Sequence, residues 1–147
     1  MKKMFALLTA VIITAGAWAS PSPAENTKAK AAFEKEFNGA KDVQWSGSEE
    51  VSVVSFVFNN EIMRAWFTAE GEIAAIQRNV KKEQMTYLSA KSLEKLQEEQ
   101  TVLRVVEMNK EGDMYYLVKA ENRKFESLYK LTPSGVLTRI EKKKIKN

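Results

Sequence analysis

The chain has 147 residues, a net charge of +4, and neither cysteine nor histidine. It therefore has no thiolate nucleophile, no disulfide, and no imidazole to act as a general base or metal ligand. This composition excludes Ser-His-Asp catalysis and thiolate metal sites. We expect a protein that is not an enzyme and that carries no cofactor and no metal.

The first nineteen residues have the pattern of an export signal. Lys2 and Lys3 precede an uncharged, mostly apolar stretch at 4–18, and Ala17-Trp18-Ala19 places small residues where a signal peptidase cleaves. The apolar stretch is too short for a membrane span. We expect cleavage near Ala19, a periplasmic or secreted mature protein, and no stable membrane anchor. Since Lys2 and Lys3 contribute two of the positive charges, the mature chain is nearly balanced, and we do not expect nucleic acid as a partner.

A helix is predicted after the spacer at 20–25. Asn26 or Thr27 can cap it by accepting hydrogen bonds from the first-turn N–H groups. Apolar residues then recur every four positions and share one face: Ala29, Phe33 and Phe37. Asn38-Gly39 predicts the end of this helix, because glycine adopts the left-handed conformation without steric cost.

Four strands are predicted next, at 42–46, 51–59, 62–68 and 72–80, from runs rich in β-branched and aromatic residues. Asn59-Asn60 predicts one of the turns between them. A second helix follows, with Ser89 as its predicted cap and Leu88 and Leu93 as a hydrophobic staple. Leu93 and Leu96 are expected to face inward. The last four strands are predicted at 102–108, 114–120, 124–131 and 136–142.

The order of one helix and four strands therefore occurs twice. Residues 67–73 align with residues 131–137, and both stretches contain a turn glycine. We predict an α+β fold of two helix-plus-four-strand repeats, at about 26–80 and 88–142, with the helices packed on one face of a curved antiparallel sheet. The repeats would form a single domain at 26–142, joined at their sheet edges or packed end to end, with a basic tail at 143–147.

Residues 37–46 resemble a known family. They read Phe37-Asn38-Gly39-Ala40-Lys41-Asp42-Val43-Gln44-Trp45-Ser46, which resembles the F-x-G-A-x-x-V-x-W opening of the β-lactamase-inhibitor-like, PepSY-like family of exported bacterial proteins. Residues 65–71 and 132–135 resemble its later aromatic and glycine-turn segments. The resemblance extends from residue 33 to about residue 140.

The resemblance implies an architecture more than an activity. It implies helices on one face of a curved antiparallel sheet that is built by repetition. The family name refers to a secreted inhibitor of β-lactamase, but this chain lacks cysteines and has no stretch that matches the inhibitory loop. No catalytic residue is carried over.

Aromatic residues on the predicted strands are the best candidates for a binding surface. They either pack in the core or form a platform on a sheet face that no helix covers. Because side chains alternate along a strand, Tyr115 and Tyr116 must point to opposite faces, as must Trp66 and Phe67. The candidate binding residues are Trp45, Trp66, Tyr115, Tyr116 and Tyr129.

Charged residues offer weaker candidates. Glu49-Glu50 and Glu98-Glu99 are adjacent acidic pairs that fit a solvated surface. Residues 109–113 lack the alternating acidic pattern of a calcium loop. The basic run at 142–146 fits a solvated tail or a contact with an anionic surface such as lipid headgroups.

Four functions remain open at this point. The first is a non-catalytic binding module for a periplasmic or secreted protein, acting through an open sheet face or an edge strand. The second is an inhibitor of an exported peptidase or other hydrolase, as the resemblance implies. The third is a glycan-acting enzyme that uses two carboxylates. The fourth is a purely structural role.

Overall fold

The computed structural model describes residues 26–48 and 50–146, so the predicted signal peptide at 1–19 and the whole predicted spacer at 20–25 lie outside the described residues. One helix and four strands are followed by a second helix and four more strands. In chain order they are α1 (Thr27–Glu36), β1 (Lys41–Gly47), β2 (Val51–Phe58), β3 (Glu61–Thr68), β4 (Ile73–Asn79), α2 (Tyr87–Glu99), β5 (Thr101–Lys110), β6 (Asp113–Glu121), β7 (Phe125–Leu131) and β8 (Leu137–Lys144). A short 3₁₀ helix at Lys82–Gln84 precedes α2.

All eight strands form one antiparallel sheet in the order in which they occur in the chain. The two groups of four strands are joined at their edges, because β4 pairs with β5 from Ala75–Lys110 to Asn79–Val106. This confirms the predicted α+β class and decides between the two arrangements that the sequence left open. The two-repeat origin of this arrangement stays a prediction.

The first helix forms as its sequence predicts. Asn26 caps it, since its Oδ1 accepts a hydrogen bond from the Ala29 N–H at 3.0 Å. Ala29, Phe33 and Phe37 are all buried, which confirms their common face. They pack on β2 and β3, where Phe33 meets the Phe56 ring edge-on with the ring centroids 4.9 Å apart.

The start of the second helix differs from the prediction. Its cap is Thr86, whose Oγ1 accepts a hydrogen bond from the Ser89 N–H at 3.3 Å. Ser89 lies inside the first turn because its own hydroxyl donates to the Thr132 carbonyl at 2.9 Å. The predicted staple is therefore wrong, and Leu88 is 54% exposed. Leu93 and Leu96 are buried as predicted.

Strand limits differ from the predicted ones by a few residues at most. Asn59 and Asn60 both have positive φ, which confirms the tight turn. β8 continues to Lys144, so part of the basic run belongs to an edge strand instead of a tail. Bulges interrupt the register between β1 and β2, β3 and β4, β5 and β6, and β7 and β8, and bulges increase the local twist of a sheet.

Both helices pack on the same face of the sheet. Side chains of α1 form one cluster with β2 and β3, and side chains of α2 form another with β6 and β7. A third cluster lies on the opposite face and contains no helix residue: Val53, Trp66, Ala75, Val106, Met108, Leu117 and Leu128. We refer to this opposite face as the open face.

Candidate interaction surface

Strand alternation places the candidate aromatic residues on two different faces. In β3, Phe67 packs against α1 while Trp66 joins the cluster on the open face. In β6, Tyr116 packs against α2 while Tyr115 lies against the open-face cluster. The structure thus decides which ring of each adjacent pair leaves the helix side.

The other candidate aromatics lie on the helix side. Trp45 meets the Phe33 ring edge-on at 5.4 Å between centroids. Tyr129 belongs to the α2 cluster, and its hydroxyl accepts a hydrogen bond from the Gln100 side chain. Tyr116 is 1% exposed and accepts a hydrogen bond from the Thr86 N–H. Of the five candidates, only Trp66 and Tyr115 belong to the open face.

Trp66 and Tyr115 differ in what they offer to a partner. Trp66 is buried within the open-face cluster, so it packs against its neighbours and presents almost no surface to a partner. Tyr115 is half-buried, and the Lys130 ammonium lies over its ring at 4.3 Å from the centroid, in a cation–π contact. Burial, with a smaller contribution from Asp113, raises the pKa of the Tyr115 hydroxyl, so this group stays neutral and can donate a hydrogen bond at physiological pH.

Two arginines on the open face were not singled out from the sequence. Arg64 on β3 lies opposite Ser55 and Gln77, and its Nε donates to the Ser55 hydroxyl at 3.1 Å. Arg104 on β5 reaches across to β4, where its Nε and Nη2 donate to Asn79 Oδ1 at 3.2 and 2.9 Å. Both guanidinium groups therefore have neutral hydrogen-bond partners.

The electrostatics of Arg64 are unusual for a half-buried cation. Burial and, to a smaller extent, the like charge of Arg104 lower the pKa of the Arg64 guanidinium. An arginine side chain nevertheless remains charged in a protein. Across residues 26–48 and 50–146, no carboxylate forms a hydrogen bond or salt bridge with Arg64 or Arg104.

Gln77 lies between these two arginines on β4. It is 3% exposed, and its Oε1 has no hydrogen-bond partner within the described part of the chain. An unsatisfied buried carbonyl of this kind costs about 1–3 kcal/mol. The strand between the two arginines therefore contains a buried oxygen, Gln77 Oε1, that lacks a hydrogen bond.

Two other cations of the sheet do have acidic partners. Further along the open face, the Lys119 ammonium forms a salt bridge with Glu126 at 2.9 Å. On the helix side, Arg78 binds both carboxylate oxygens of Glu107, at 2.8 and 3.0 Å, and also approaches Glu61 at 3.4 Å. The hydrogen bond to Glu107 raises the pKa of Arg78. Arg64 and Arg104 differ from these cations because they have no acidic partner.

A groove of about 500 Å³ lies between the C-terminal part of α1 and the edge strand β1. Its apolar wall consists of Phe33, Phe37 and Trp45, and its polar rim includes Lys30 and Glu34. Among the described residues that line it, Glu34 is the single carboxylate. Within that part of the chain, the groove has an aromatic wall and no pair of acids.

Neither a metal site nor a membrane span is found in the described residues. No group of three or more acidic, cysteine or histidine side chains there could hold a metal ion. No helix formed by residues 26–48 or 50–146 is long and apolar enough to cross a membrane.

Solved structures of other proteins share the fold of this chain, although comparisons of sequence find no relative. No protein-family model matches the sequence, and no curated protein is similar to it. Solved structures do match over most of the chain. A protein from Bacteroides eggerthii that is described as periplasmic has a TM-score of 0.70 and 18% identity, covering 81% of this chain and 88% of that one.

Two further structures show the same architecture. A DUF2874 family protein from Bacteroides ovatus has a TM-score of 0.70 and 17% identity, covering 85% of this chain and 89% of that chain. A BLIP-like protein from Bacteroides fragilis has a TM-score of 0.68 and 15% identity, covering 88% of this chain and 91% of that chain. This protein therefore has the BLIP-like α+β fold, with one open antiparallel sheet and two helices.

Proposed function

We propose that this protein is an exported, non-catalytic module that binds another protein through its open face. The observation that carries the proposal is the open face, where an apolar cluster without helix residues, each member at most 9% exposed, shares the face with Arg64, Arg104 and Lys130. Protein-binding surfaces commonly have such an apolar centre with a polar rim. The structural similarity to a BLIP-like protein supports a protein as the bound partner.

Photo-crosslinking tests this proposal directly. A photoreactive amino acid would replace Ser46 or Thr138, which are exposed and lie on the open face by their pairing with Val53 and Lys130. The matched control is Lys95, which is exposed on α2 on the other side of the sheet. In cells that naturally produce the protein, we expect defined protein adducts from positions 46 and 138. Adducts that form equally well from position 95, or from none of the three, would refute the open-face assignment.

Inhibition of a hydrolase is a special case of this function, and the BLIP-like similarity favours it as the second candidate. It predicts a stoichiometric complex in which the hydrolase loses activity. The measurement is residual activity of exported peptidases and β-lactamases after titration with the purified protein. Full activity across the panel at micromolar protein would count against inhibition and would leave the binding proposal intact.

Export is also part of the proposal. It is supported by the sequence pattern of residues 1–19 and by the periplasmic description of a structural neighbour. Mass spectrometry of the protein from an envelope fraction should find a mature N-terminus at Ser20. Recovery of a chain that begins at Met1 from the cytoplasm would exclude export.

We also propose that the two halves arose by duplication within the β-lactamase-inhibitor-like, PepSY-like family. Two turns support this, since the Thr68 hydroxyl accepts a hydrogen bond from the Glu72 N–H at 3.2 Å and the Thr132 hydroxyl accepts one from the Val136 N–H at 3.1 Å. In each turn a glycine N–H also donates to the threonine carbonyl. An alignment of many homologues should show the two halves converging toward one ancestral sequence.

A further inference from the structure

Arg64 and Arg104 form a pair of like charges on opposite sides of β4. Arg64 extends from β3 and Arg104 from β5, and each is anchored by a neutral hydrogen-bond partner, Ser55 for the first and Asn79 for the second. These anchors hold the guanidinium groups in place across the sheet. They leave the charge of both groups without compensation within residues 26–48 and 50–146.

This arrangement opposes the usual preference of a folded protein. A half-buried cation is normally paired with a carboxylate, as Arg78 is with Glu107 on the other face of the same sheet. The strand neighbours of Arg64 are Ser55 and Gln77, and the residue opposite Arg104 is Lys119, so none of them supplies a negative charge. Arg104 is exposed, but Arg64 is half-buried, so the charge of Arg64 lacks the acidic partner that Arg78 has.

The anchoring bonds leave donors available to a partner. The single hydrogen bond of Arg64 uses Nε, and those of Arg104 use Nε and Nη2. The two Nη groups of Arg64 and Nη1 of Arg104 have no hydrogen-bond acceptor within the described residues. Guanidinium donors match the geometry of a carboxylate better than a lysine ammonium does.

The surroundings of the pair favour a protein segment as the carrier of that carboxylate. Met108 and Val106 lie beside Gln77 and Asn79 in the register of β4 and β5, and both belong to the open-face cluster. Both are only 2% exposed, so the apolar surface that a bound segment could cover beside the arginines is that of Ile62, which lies on the same face as Arg64 and is 60% exposed. The buried Gln77 carbonyl adds an acceptor at the same strand, and a polypeptide supplies N–H donors as well as carboxylates.

We propose that Arg64 and Arg104 form a recognition site for an aspartate or glutamate side chain of the partner protein. The inference rests on the proposed function, since it names the chemistry of the partner for the same open face. The site selects an acidic residue because its carboxylate can accept hydrogen bonds from the free guanidinium donors and offsets one of the two neighbouring positive charges. Partners with a neutral or basic residue at this position leave the two charges desolvated and unpaired.

A random peptide library displayed on phage provides the test, with the purified protein as bait. Selections against the unmodified protein should enrich sequences that contain Asp or Glu. Selections against Arg64→Gln/Arg104→Gln should lose this enrichment, while Arg123→Gln should retain it, because Arg123 lies in the exposed turn between β6 and β7. Urea unfolding of each variant establishes that it is folded, and Arg64→Lys provides a charged alternative if Arg64→Gln does not fold.

A selected peptide and its Glu→Gln counterpart then give the quantitative result. We expect the glutamine peptide to bind about tenfold or more weakly, because a neutral amide makes weaker hydrogen bonds to the guanidinium groups than a carboxylate does. Amide chemical-shift changes in labelled protein should centre on Gln77, Asn79 and Met108. The preference for Glu should disappear in the double arginine variant.

The outcomes separate this inference from the function on which it rests. Peptides that shift open-face amides but show no preference for acids would overturn the acidic site and leave the protein-binding function standing. Inorganic phosphate that shifts the same amides, together with equal affinity for the Glu and Gln peptides, would show a small-anion site and also overturn the proposal. Failure to obtain any peptide that shifts open-face amides would count against both.

Discussion

The two halves of the molecule attach their helices to the sheet in different ways. In the first half, α1 is held by rings, since Phe33 contacts Phe37, Trp45, Phe56 and Phe67 with centroids between 4.9 and 6.4 Å apart. In the second half, α2 packs through Leu93 and Leu96 and is also attached by hydroxyl groups. Thr86, Ser89 and Ser92 donate to the Pro133, Thr132 and Gly135 carbonyls at 2.6, 2.9 and 2.6 Å.

The corresponding polar contact of α1 is weaker. Asn26 donates from Nδ2 to the Thr68 and Ala69 carbonyls at 3.2 and 3.3 Å. The comparison shows that one architecture tolerates two solutions to the same problem, the fixing of a helix on a sheet. One uses aromatic packing and the other uses directed hydrogen bonds, so substitutions in the two halves should have different consequences.

Truncation of Phe33 should have the largest effect. Phe33→Ala removes a buried ring from the centre of the α1 cluster and is expected to lower the free energy of unfolding by about 4 kcal/mol. The matched change in the second half, Leu93→Ala, is expected to cost about 3 kcal/mol, because fewer atoms are removed. Urea unfolding followed by circular dichroism measures both. A larger loss for Leu93→Ala would contradict the aromatic attachment of α1.

Two turn glycines should give the next effect, and it should be equal in the two halves. Gly71 and Gly135 both have φ of +85°, and an added Cβ would lie 2.8 Å from the Lys28 carbonyl oxygen in one case and 2.9 Å from that of Leu88 in the other. Substitution by alanine therefore combines strain at positive φ with a backbone clash, and we expect a loss of about 3 kcal/mol for each.

Gly112 provides the control for this prediction. Its φ is +84°, but nothing lies within 4 Å of the Cβ position. Gly112→Ala should therefore cost only the conformational term, about 1 kcal/mol. If thermal unfolding shows the same loss of stability for Gly112→Ala and Gly71→Ala, the close approach of the turn to the helix does not add to the cost of the substitution.

Loss of a hydroxyl from α2 should cost more than loss of the α1 cap. Ser89 is fully buried and donates to the Thr132 carbonyl, so Ser89→Ala should lower the free energy of unfolding by about 2 kcal/mol. Asn26→Ala removes a cap at a half-buried position and should cost about 1 kcal/mol. The two values come from chemical unfolding under identical conditions, and the reverse order would refute the hydroxyl attachment of α2.

The smallest effect concerns pH and an exposed carboxylate on α2. Hydrogen bonds and charge from Lys91 and then Lys82 lower the pKa of Glu94. Because the folded-state pKa lies below the unfolded one, the contribution to stability is complete above the unfolded pKa of about 4.3 and is lost as pH falls through the folded pKa.

An NMR titration of Glu94 measures this directly. Lys91→Ala should move the Glu94 pKa back toward its ordinary value, while Lys95→Ala should leave it unchanged, since Lys95 has no hydrogen bond to Glu94. An unaltered Glu94 titration in Lys91→Ala would show that the contact is absent in solution.

Periodicity made much of this fold predictable from the sequence. The four-residue spacing of Ala29, Phe33 and Phe37 indicated the buried face of α1, and alternation indicated that Trp66 and Phe67 diverge. The start of α2 was not predictable in the same way, because Thr86 and Ser89 are both good caps. Their roles depend on the Thr132 and Pro133 carbonyls, which lie more than forty residues further along the chain.

The candidate site could be predicted from the sequence only in part. Trp66 and Tyr115 were among the candidates, but Arg64 and Arg104 were not, because each looks like an ordinary surface arginine in its own strand. Their significance depends on two facts that only strand pairing supplies. They lie on the same face on either side of β4, and no acidic side chain lies opposite them.

Local pattern was therefore sufficient for the elements of this protein, their order and the alternation of their side chains. Those properties depend on residues a few positions apart. The side of the sheet that receives the helices, the joining of β4 to β5 and the isolation of two positive charges were settled by long-range packing. An alternating strand is symmetric between its two faces, and only contacts with distant parts of the chain remove that symmetry.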